Sequence, residues 1–154
     1  MNMKRKNISV KISLVIALLV LTALVAFAIV LPRLVDFYTS LRGRADFLTS
    51  IDKIVVKVML YLILIPAFAA DISLVSLLRI VDRGEVFTAS SVKLLRLISY
   101  CCFAEVVLFT AISKYFILGL VVAFAALFLG IVLRVVKNVI EEAVIIKAEN
   151  DFTV

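Results

Sequence analysis

Three charged side chains, Lys57, Asp71 and Glu105, lie inside long apolar stretches of this sequence. A charge near the centre of a lipid-embedded helix costs about 2.5–3.5 kcal/mol on insertion scales, so such residues usually face other helices and find a partner. Intramembrane carboxylates can carry protons or cations, and they can also hold helices together. Both interpretations stay open for Glu105, which is either a proton- or cation-linked site or a structural contact between helices.

The depth of each charge along its helix indicates which charges pair. Asp71 lies about 10 Å from one end of its apolar run, and Arg96 lies about 6 Å from the same side on the next run. We therefore predict an ion pair between Asp71 and Arg96, with Arg134 as the second candidate partner. Glu105 lies closest to the middle of the bilayer, and Lys57 could extend its side chain toward it.

Residues that could catalyse a reaction are scarce in this sequence. The chain contains no histidine, which removes the usual general base and the commonest metal ligand. Cys101 and Cys102 are adjacent, and neighbours on a helix point about 100° apart, so we read them as small apolar residues, with acylation as the alternative. No phosphate-binding loop, nucleophile elbow or metal-ligand spacing occurs. We expect no enzymatic activity, no metal and no cofactor.

The composition places the whole chain in a membrane. Of its 154 residues, 65% are hydrophobic, and the mean hydropathy is +1.23. A soluble domain is about half apolar, and a domain this small keeps much of its surface in water, so the surplus must face lipid. The net charge of +6 comes from basic residues beside apolar runs. These act as topology signals beside anionic lipid rather than as a nucleic-acid surface.

Four apolar runs are long enough to span a bilayer, which predicts an all-α fold: a four-helix transmembrane bundle in one domain. Pro32 closes the first run, and Pro66 should kink the second. The first run also contains Ala26-Phe27-Ala28, which has the form of a signal-peptide cleavage site, but its length favours a retained helix. The four spans are residues 10–31, 54–78, 92–113 and 116–136.

The distribution of lysine and arginine predicts the orientation. Eleven of these residues flank one side of the spans and six flank the other, which places both termini in the cytoplasm. The first connection, residues 32–53, is then external. Its aromatic residues, such as Tyr38 and Phe47, form either an interfacial segment or a lid for an external ligand.

The cytoplasmic connection between the second and third spans contains clear turn and capping signals. Arg83 and Gly84 form a turn, Thr88 is placed to cap the third helix, and Phe87 can pack on Val92. Because this connection is exposed and charged, Arg83, Gly84 and Phe87 are also candidate partner-binding residues.

The fourth helix has two features. Small residues at spacings of four, three and four share one face and allow another helix to approach closely; they are Gly119, Ala123, Ala126 and Gly130. Beyond the membrane, an amphipathic helical pattern continues over about residues 137–148, so the helix should extend into the cytoplasm. Its apolar stripe needs a cover, which could be the cytoplasmic loop, a second copy, the membrane surface or another protein. The candidate partner-binding acids there are Glu141, Glu142, Glu149 and Asp151.

Two stretches carry a family resemblance. One is RGEVFT at residues 83–88, leading into VKLLR at 92–96; the other is EEA at 141–143 with KAENDFTV at 147–154. In these stretches, in length and in the four-span layout, the chain resembles the bacterial family known as domain of unknown function 2975. The resemblance implies an inner-membrane protein of unknown activity. It also implies a neighbouring gene for a small helix-turn-helix transcription regulator, and hence a possible cytoplasmic partner.

The sequence therefore predicts a non-enzymatic signalling or interaction protein of the cytoplasmic membrane that does not bind nucleic acid itself, and a second copy of the chain is one candidate partner. Its partner would be the helix-turn-helix regulator. The alternative is a small transporter or immunity-type membrane protein that uses Glu105, Asp71 and Lys57.

Overall fold

The chain folds as four helices joined by short connections. The computed structural model describes residues 3–41 and 50–151, and the surroundings of side chains within 8–37 and 52–150. The helices are α1 (Met3–Leu41), α2 (Ser50–Asp82), α3 (Ala89–Ile112) and α4 (Leu118–Asp151). All four are long and apolar enough to cross a membrane, and the described ranges contain no strand. The all-helical, four-span prediction is confirmed; Phe47 and the last three residues lie outside the described ranges.

The first helix is longer than the sequence suggested. We expected it to end at residue 31, but α1 continues through Pro32 to Leu41, and α2 likewise continues through Pro66. A proline in a helix removes one backbone hydrogen bond, and packing by a neighbouring helix can compensate for this loss. Leu31 and Val35 flank Pro32 and are buried in a cluster with Val56 and Leu64 of α2. This contact holds both sides of Pro32 in one helix.

A glycine turn follows the end of the second helix. Gly84 has a positive φ of 81°, and its N–H donates to the carbonyl of Val81 at 3.0 Å. The next N–H, of Glu85, donates to the carbonyl of Ile80 at 3.2 Å. These two bonds form a Schellman motif, which satisfies the last carbonyls of the helix and favours glycine at the left-handed position.

The third helix begins with the predicted cap. The Thr88 hydroxyl accepts a hydrogen bond from the N–H of Ser91 at 3.3 Å. Thr88 is therefore the N-cap, as the sequence indicated. Val92 is buried and Phe87 is half exposed, and their packing against each other stays a prediction.

The four helices pack in an open row, each helix on the next one along the chain. In the described ranges, contacts join α1 to α2, α2 to α3 and α3 to α4, and helices that are not consecutive do not pack together. Only the turn after α3 reaches further, because Tyr115 and Phe116 pack on the α1–α2 cluster and the Tyr115 hydroxyl contacts Asp52. Lipid solvates an apolar helix face as well as another helix does, so nothing requires the row to close.

The small face of α4 packs on α3. Gly119, Ala123 and Gly130 are buried. A Cβ atom on Gly119 would lie 3.0 Å from the carbonyl oxygen of Phe109, so the two backbones nearly touch. The Ser99 hydroxyl donates to the carbonyl of Gly130 at 3.0 Å. The neighbour of the small face is therefore a helix of the same chain, which the sequence had left open.

Candidate functional site

Four charged side chains meet at one end of the α3–α4 contact. Arg96 comes from α3, and Arg134, Lys137 and Glu141 come from α4. Spacings of three and four residues put the three α4 positions on one side of that helix. The cluster lies just beyond the apolar part of α4. Arg134 is the first charged residue of this helix.

Glu141 bridges two of the cations. Its Oε1 atom accepts a hydrogen bond from Arg96 Nη2 at 2.9 Å, and its Oε2 atom lies 2.5 Å from Lys137 Nζ. The hydrogen bond from Lys137 lowers the pKa of Glu141, and the charge of Arg96 lowers it further. We call these two contacts the Glu141 ion pairs. They join the first turns of α3 to the part of α4 that lies beyond its apolar run.

The third cation has a different neighbour. The guanidinium carbon of Arg134 lies 5.8 Å from the centre of the Tyr100 ring, which is a cation–π distance. Arg134 has no acidic partner among the described residues, whereas Arg96 and Lys137 share Glu141. These cations line a small pocket between α3 and α4, together with Ser99 and Tyr100. We call it the basic pocket, and with Glu141 included it carries a net charge of about +2 because three cations face one carboxylate.

The end of α4 extends past α3. Ser99 lies level with Gly130 in this antiparallel pair, so Ala89, the first residue of α3, is level with about residue 140. Residues 141–151 therefore continue about 16 Å beyond the start of α3. We call them the C-terminal extension. Apolar side chains such as Ile145 and Ile146 are exposed on it.

A second set of polar atoms is buried between the apolar helices. Asp71 of α2 is only 6% exposed, and its Oδ2 atom has no hydrogen-bond partner. Both carboxyl oxygens of Glu105 on α3 are also buried without a partner. Such atoms can accept a proton or a cation, and in a purely structural role they would be expected to have hydrogen-bond partners.

The predicted ion pairs do not form. Arg96 bonds Glu141 instead of Asp71, and Arg134 lies over Tyr100. The reason is direction: Arg96 points along the α3–α4 contact, whereas Asp71 belongs to α2. Depth alone could not distinguish the two sides of α3.

Lys57 also has an unexpected partner. Its Nζ atom lies 2.7 Å from Asp36 Oδ1, and it does not pair with Glu105. Asp36 belongs to the part of α1 beyond residue 31, where the predicted first span ended. For this reason Asp36 was not among the predicted partners of Lys57.

Sequence reasoning also missed Lys137 and Tyr100 as members of the site. A signal for Lys137 was present, because Lys137 and Glu141 are four residues apart on a helix and such pairs interact. The stacking of Arg134 on Tyr100 had no comparable signal, since it depends on how α3 and α4 are aligned.

The candidate partner-binding residues are distributed as follows. Arg83, Gly84 and Phe87 are exposed in the connection between α2 and α3. Glu142 and Glu149 are exposed on the C-terminal extension, Glu141 is occupied by its two cations, and the side chain of Asp151 lies outside the described part. Among the described residues, no three histidine, cysteine or acidic side chains are grouped so that they could hold a metal ion.

Comparison with known proteins places these features in a family context. The model of the family described as "Protein of unknown function (DUF2975)" matches residues 49–154, which cover α2, α3 and α4. The "Uncharacterized membrane protein YoaS" of Bacillus subtilis (strain 168) is 30% identical, and the alignment covers 66% of this chain and 72% of that protein. No solved structure matches. Both the basic pocket and the unpaired carboxyl groups lie in the part that the family model matches.

Proposed function

The chain belongs to the DUF2975 family of proteins of unknown function, and from this premise we propose that it is a non-enzymatic signalling and interaction protein of a bacterial cytoplasmic membrane. Both termini lie in the cytoplasm. The C-terminal extension and the Arg83–Phe87 connection bind a cytoplasmic partner. The proposed partner is a small helix-turn-helix transcription regulator, the kind of neighbour that the family resemblance implies.

The C-terminal extension is the observation that carries this proposal. About three helical turns of α4 continue beyond α3 and have exposed apolar residues next to acidic ones. A solvent-exposed helix with an apolar stripe is unstable in water unless a partner covers it, and an amphipathic helix can lie in the groove of another protein. The eleven-to-six distribution of basic residues supports a cytoplasmic position for this extension.

The Glu141 ion pairs give the extension a connection to the membrane. Because Arg96 lies on α3 and Glu141 on α4, a change in how these two helices pack alters the base of the extension. A stimulus in the bilayer would in this way change the surface that the partner binds. The mechanism needs no catalysis, only two packing arrangements of α3 against α4.

Capture of a co-expressed regulator tests the proposal. The full-length chain, purified in detergent with an affinity tag at its N-terminus, should retain a small helix-turn-helix regulator from the same host. Deleting residues 142–154 keeps Glu141 and its ion pairs but removes the exposed stripe, and it should abolish capture. Ile145→Glu should weaken capture at least about tenfold by placing a charge in an apolar contact. Lys147→Gln, a polar change on the same extension, is the matched control and should leave capture unchanged.

Two outcomes would contradict the proposal. If the deletion variant inserts in the membrane and still captures the regulator fully, the extension is not the binding surface. If the intact chain captures no regulator, the partner assignment is wrong.

The unpaired carboxyl groups support a second candidate function, a proton- or cation-linked transporter or immunity-type protein. Asp71 Oδ2 and both carboxyl oxygens of Glu105 are buried without hydrogen-bond partners, which is expensive unless they take part in binding. In this candidate, Glu105 takes up the proton or cation. Lys57, paired with Asp36, stabilises the α1–α2 contact.

Proteoliposomes test this candidate directly. Vesicles containing the wild-type chain should dissipate an imposed proton or cation gradient faster than protein-free vesicles, and Glu105→Gln should reduce the flux to the background level. Glu142→Gln is the matched control, because Glu142 is exposed on the extension. Equal fluxes in wild-type and Glu105→Gln vesicles would assign Glu105 to packing alone.

A further inference from the structure

We propose that the basic pocket binds the phosphate group of an anionic phospholipid, with the acyl chains lying along α3 and α4. The residues that carry this inference are Arg96, Arg134 and Lys137. The inference does not depend on a protein partner or on transport.

The chemistry of the pocket suits a phosphate. Guanidinium groups donate paired hydrogen bonds to phosphate oxygens, and an ammonium group adds a compact charge. Glu141 already shows that Arg96 and Lys137 can bind two oxygens of one anion, at 2.9 and 2.5 Å. Arg134 is the third cation, and in the described chain it has an aromatic neighbour but no acid. The pocket therefore has positive charge left over after its internal carboxylate is counted.

The position of the pocket favours a lipid over a free anion. Arg134 is the first charged residue after the apolar part of α4, so it lies where the hydrocarbon region gives way to headgroups. The residues next to the cations in sequence, Leu97 and Val135, are exposed apolar side chains that acyl chains could contact. Basic pockets between membrane helices on the cytoplasmic side are a recognised form of anionic-lipid site.

The open row gives a lipid access to the pocket. In the described part of the chain, α4 packs only on α3, so no other helix covers the outer sides of this pair. A phospholipid could therefore enter laterally from the bilayer and place its headgroup between Arg96 and Arg134. A closed bundle would have left one side of the pair facing the protein interior.

Lipid binding to the purified full-length chain tests the inference. Native mass spectrometry in a neutral detergent would compare phosphatidylglycerol with phosphatidylcholine of the same acyl chains. We expect phosphatidylglycerol to bind at least fivefold more tightly. Removing one cation by Arg134→Gln or Lys137→Gln should weaken phosphatidylglycerol binding about fivefold, as expected for about 1 kcal/mol per basic residue. Phosphatidylcholine binding should not change.

Two further variants make the test specific. Lys93→Gln removes an exposed cation one turn from Arg96 but outside the pocket, and it should change the affinity less than twofold. Glu141→Gln removes the internal carboxylate. This change should strengthen phosphatidylglycerol binding, because the lipid phosphate no longer competes with Glu141 for Arg96 and Lys137. This gain of affinity cannot result from misfolding, so the inference stays testable if an arginine variant is unstable.

The following results would overturn the inference. Equal affinities for the two lipids would show that charge does not select the ligand. The same loss for Lys93→Gln as for Arg134→Gln would reduce the effect to general surface charge. Competition by millimolar inorganic phosphate, without preferential binding of phosphatidylglycerol, would identify a free-anion site instead.

Discussion

Replacing Glu105 with methionine should make the protein more stable, which is unusual for a buried residue. Both carboxyl oxygens are buried without a hydrogen bond, so the native structure gains little from them and loses their solvation. Methionine has a similar length and no polar atoms, and replacing an unsatisfied polar group by an apolar one of the same shape can stabilise a protein. The stability of the Glu105→Met variant therefore shows whether the carboxyl group of Glu105 stabilises the fold.

The size of the effect follows from the two unpaired oxygens. An unsatisfied buried polar group costs about 1–3 kcal/mol, and an acidic side chain at a helix centre costs about 2.5–3.5 kcal/mol on insertion scales. We expect a gain of about 2 kcal/mol in the free energy of unfolding. For a chain of this size, that gain corresponds to an increase of about 4–8 °C in the unfolding temperature.

Heating followed by size-exclusion chromatography is a suitable assay. The fraction of detergent-solubilised protein that remains monodisperse would be measured over a range of temperatures. Glu142→Met is the matched control, since it makes the same change at an exposed site and should shift stability by less than about 0.5 kcal/mol.

Loss of stability in Glu105→Met, by an amount similar to the expected gain, would refute this reasoning. It would mean that the carboxyl group has a partner in the folded membrane protein, such as a second copy or a lipid, and that it holds helices together. A gain of stability combined with loss of flux or signalling would instead identify Glu105 as a functional group retained at the expense of stability.

Substitutions at four further positions test the close contacts and turns that align the helices, by the same assay. Gly119→Ala should cost about 1–2 kcal/mol, because the new Cβ would lie 3.0 Å from the carbonyl oxygen of Phe109, whereas Gly130→Ala should cost less because its nearest neighbours are side chains that can shift. Equal costs would contradict this difference. Thr88→Ala should cost about 1 kcal/mol through loss of the cap, and Thr88→Ser should restore it. Gly84→Ala should cost about 1–2 kcal/mol because φ is +81°, and no change in stability would show that the turn relaxes.

Local signals in the sequence were sufficient for the four helices and for the boundary between α2 and α3. The length and polarity of the apolar runs predicted four spans, and Thr88 and Gly84 marked the boundaries between α2 and α3. These features depend on a few adjacent residues, so they can be read without knowing the fold. The small face of α4 belongs to the same class, since it follows from helical periodicity.

Contacts between helices were harder to predict. Asp71 and Arg96 lie on adjoining helices at similar depths, yet the structure pairs Arg96 with Glu141 from the next helix. The rotation of each helix about its axis decides which side chains face each other, and an apolar run in lipid carries little information about that rotation. The open row was missed for the same reason, because lipid and protein are equally good neighbours for leucine or valine.

Assembly of this protein after synthesis should be simple. Because each helix packs on the one before it, a newly inserted helix needs only its predecessor and need not wait for a distant segment. Pairing of sequence neighbours closes short loops, which is the fastest kind of contact for a chain to form. Membrane insertion can therefore proceed as successive hairpins while the ribosome is still translating. Interrupting synthesis after α2 should leave a correctly inserted helical hairpin rather than an aggregate.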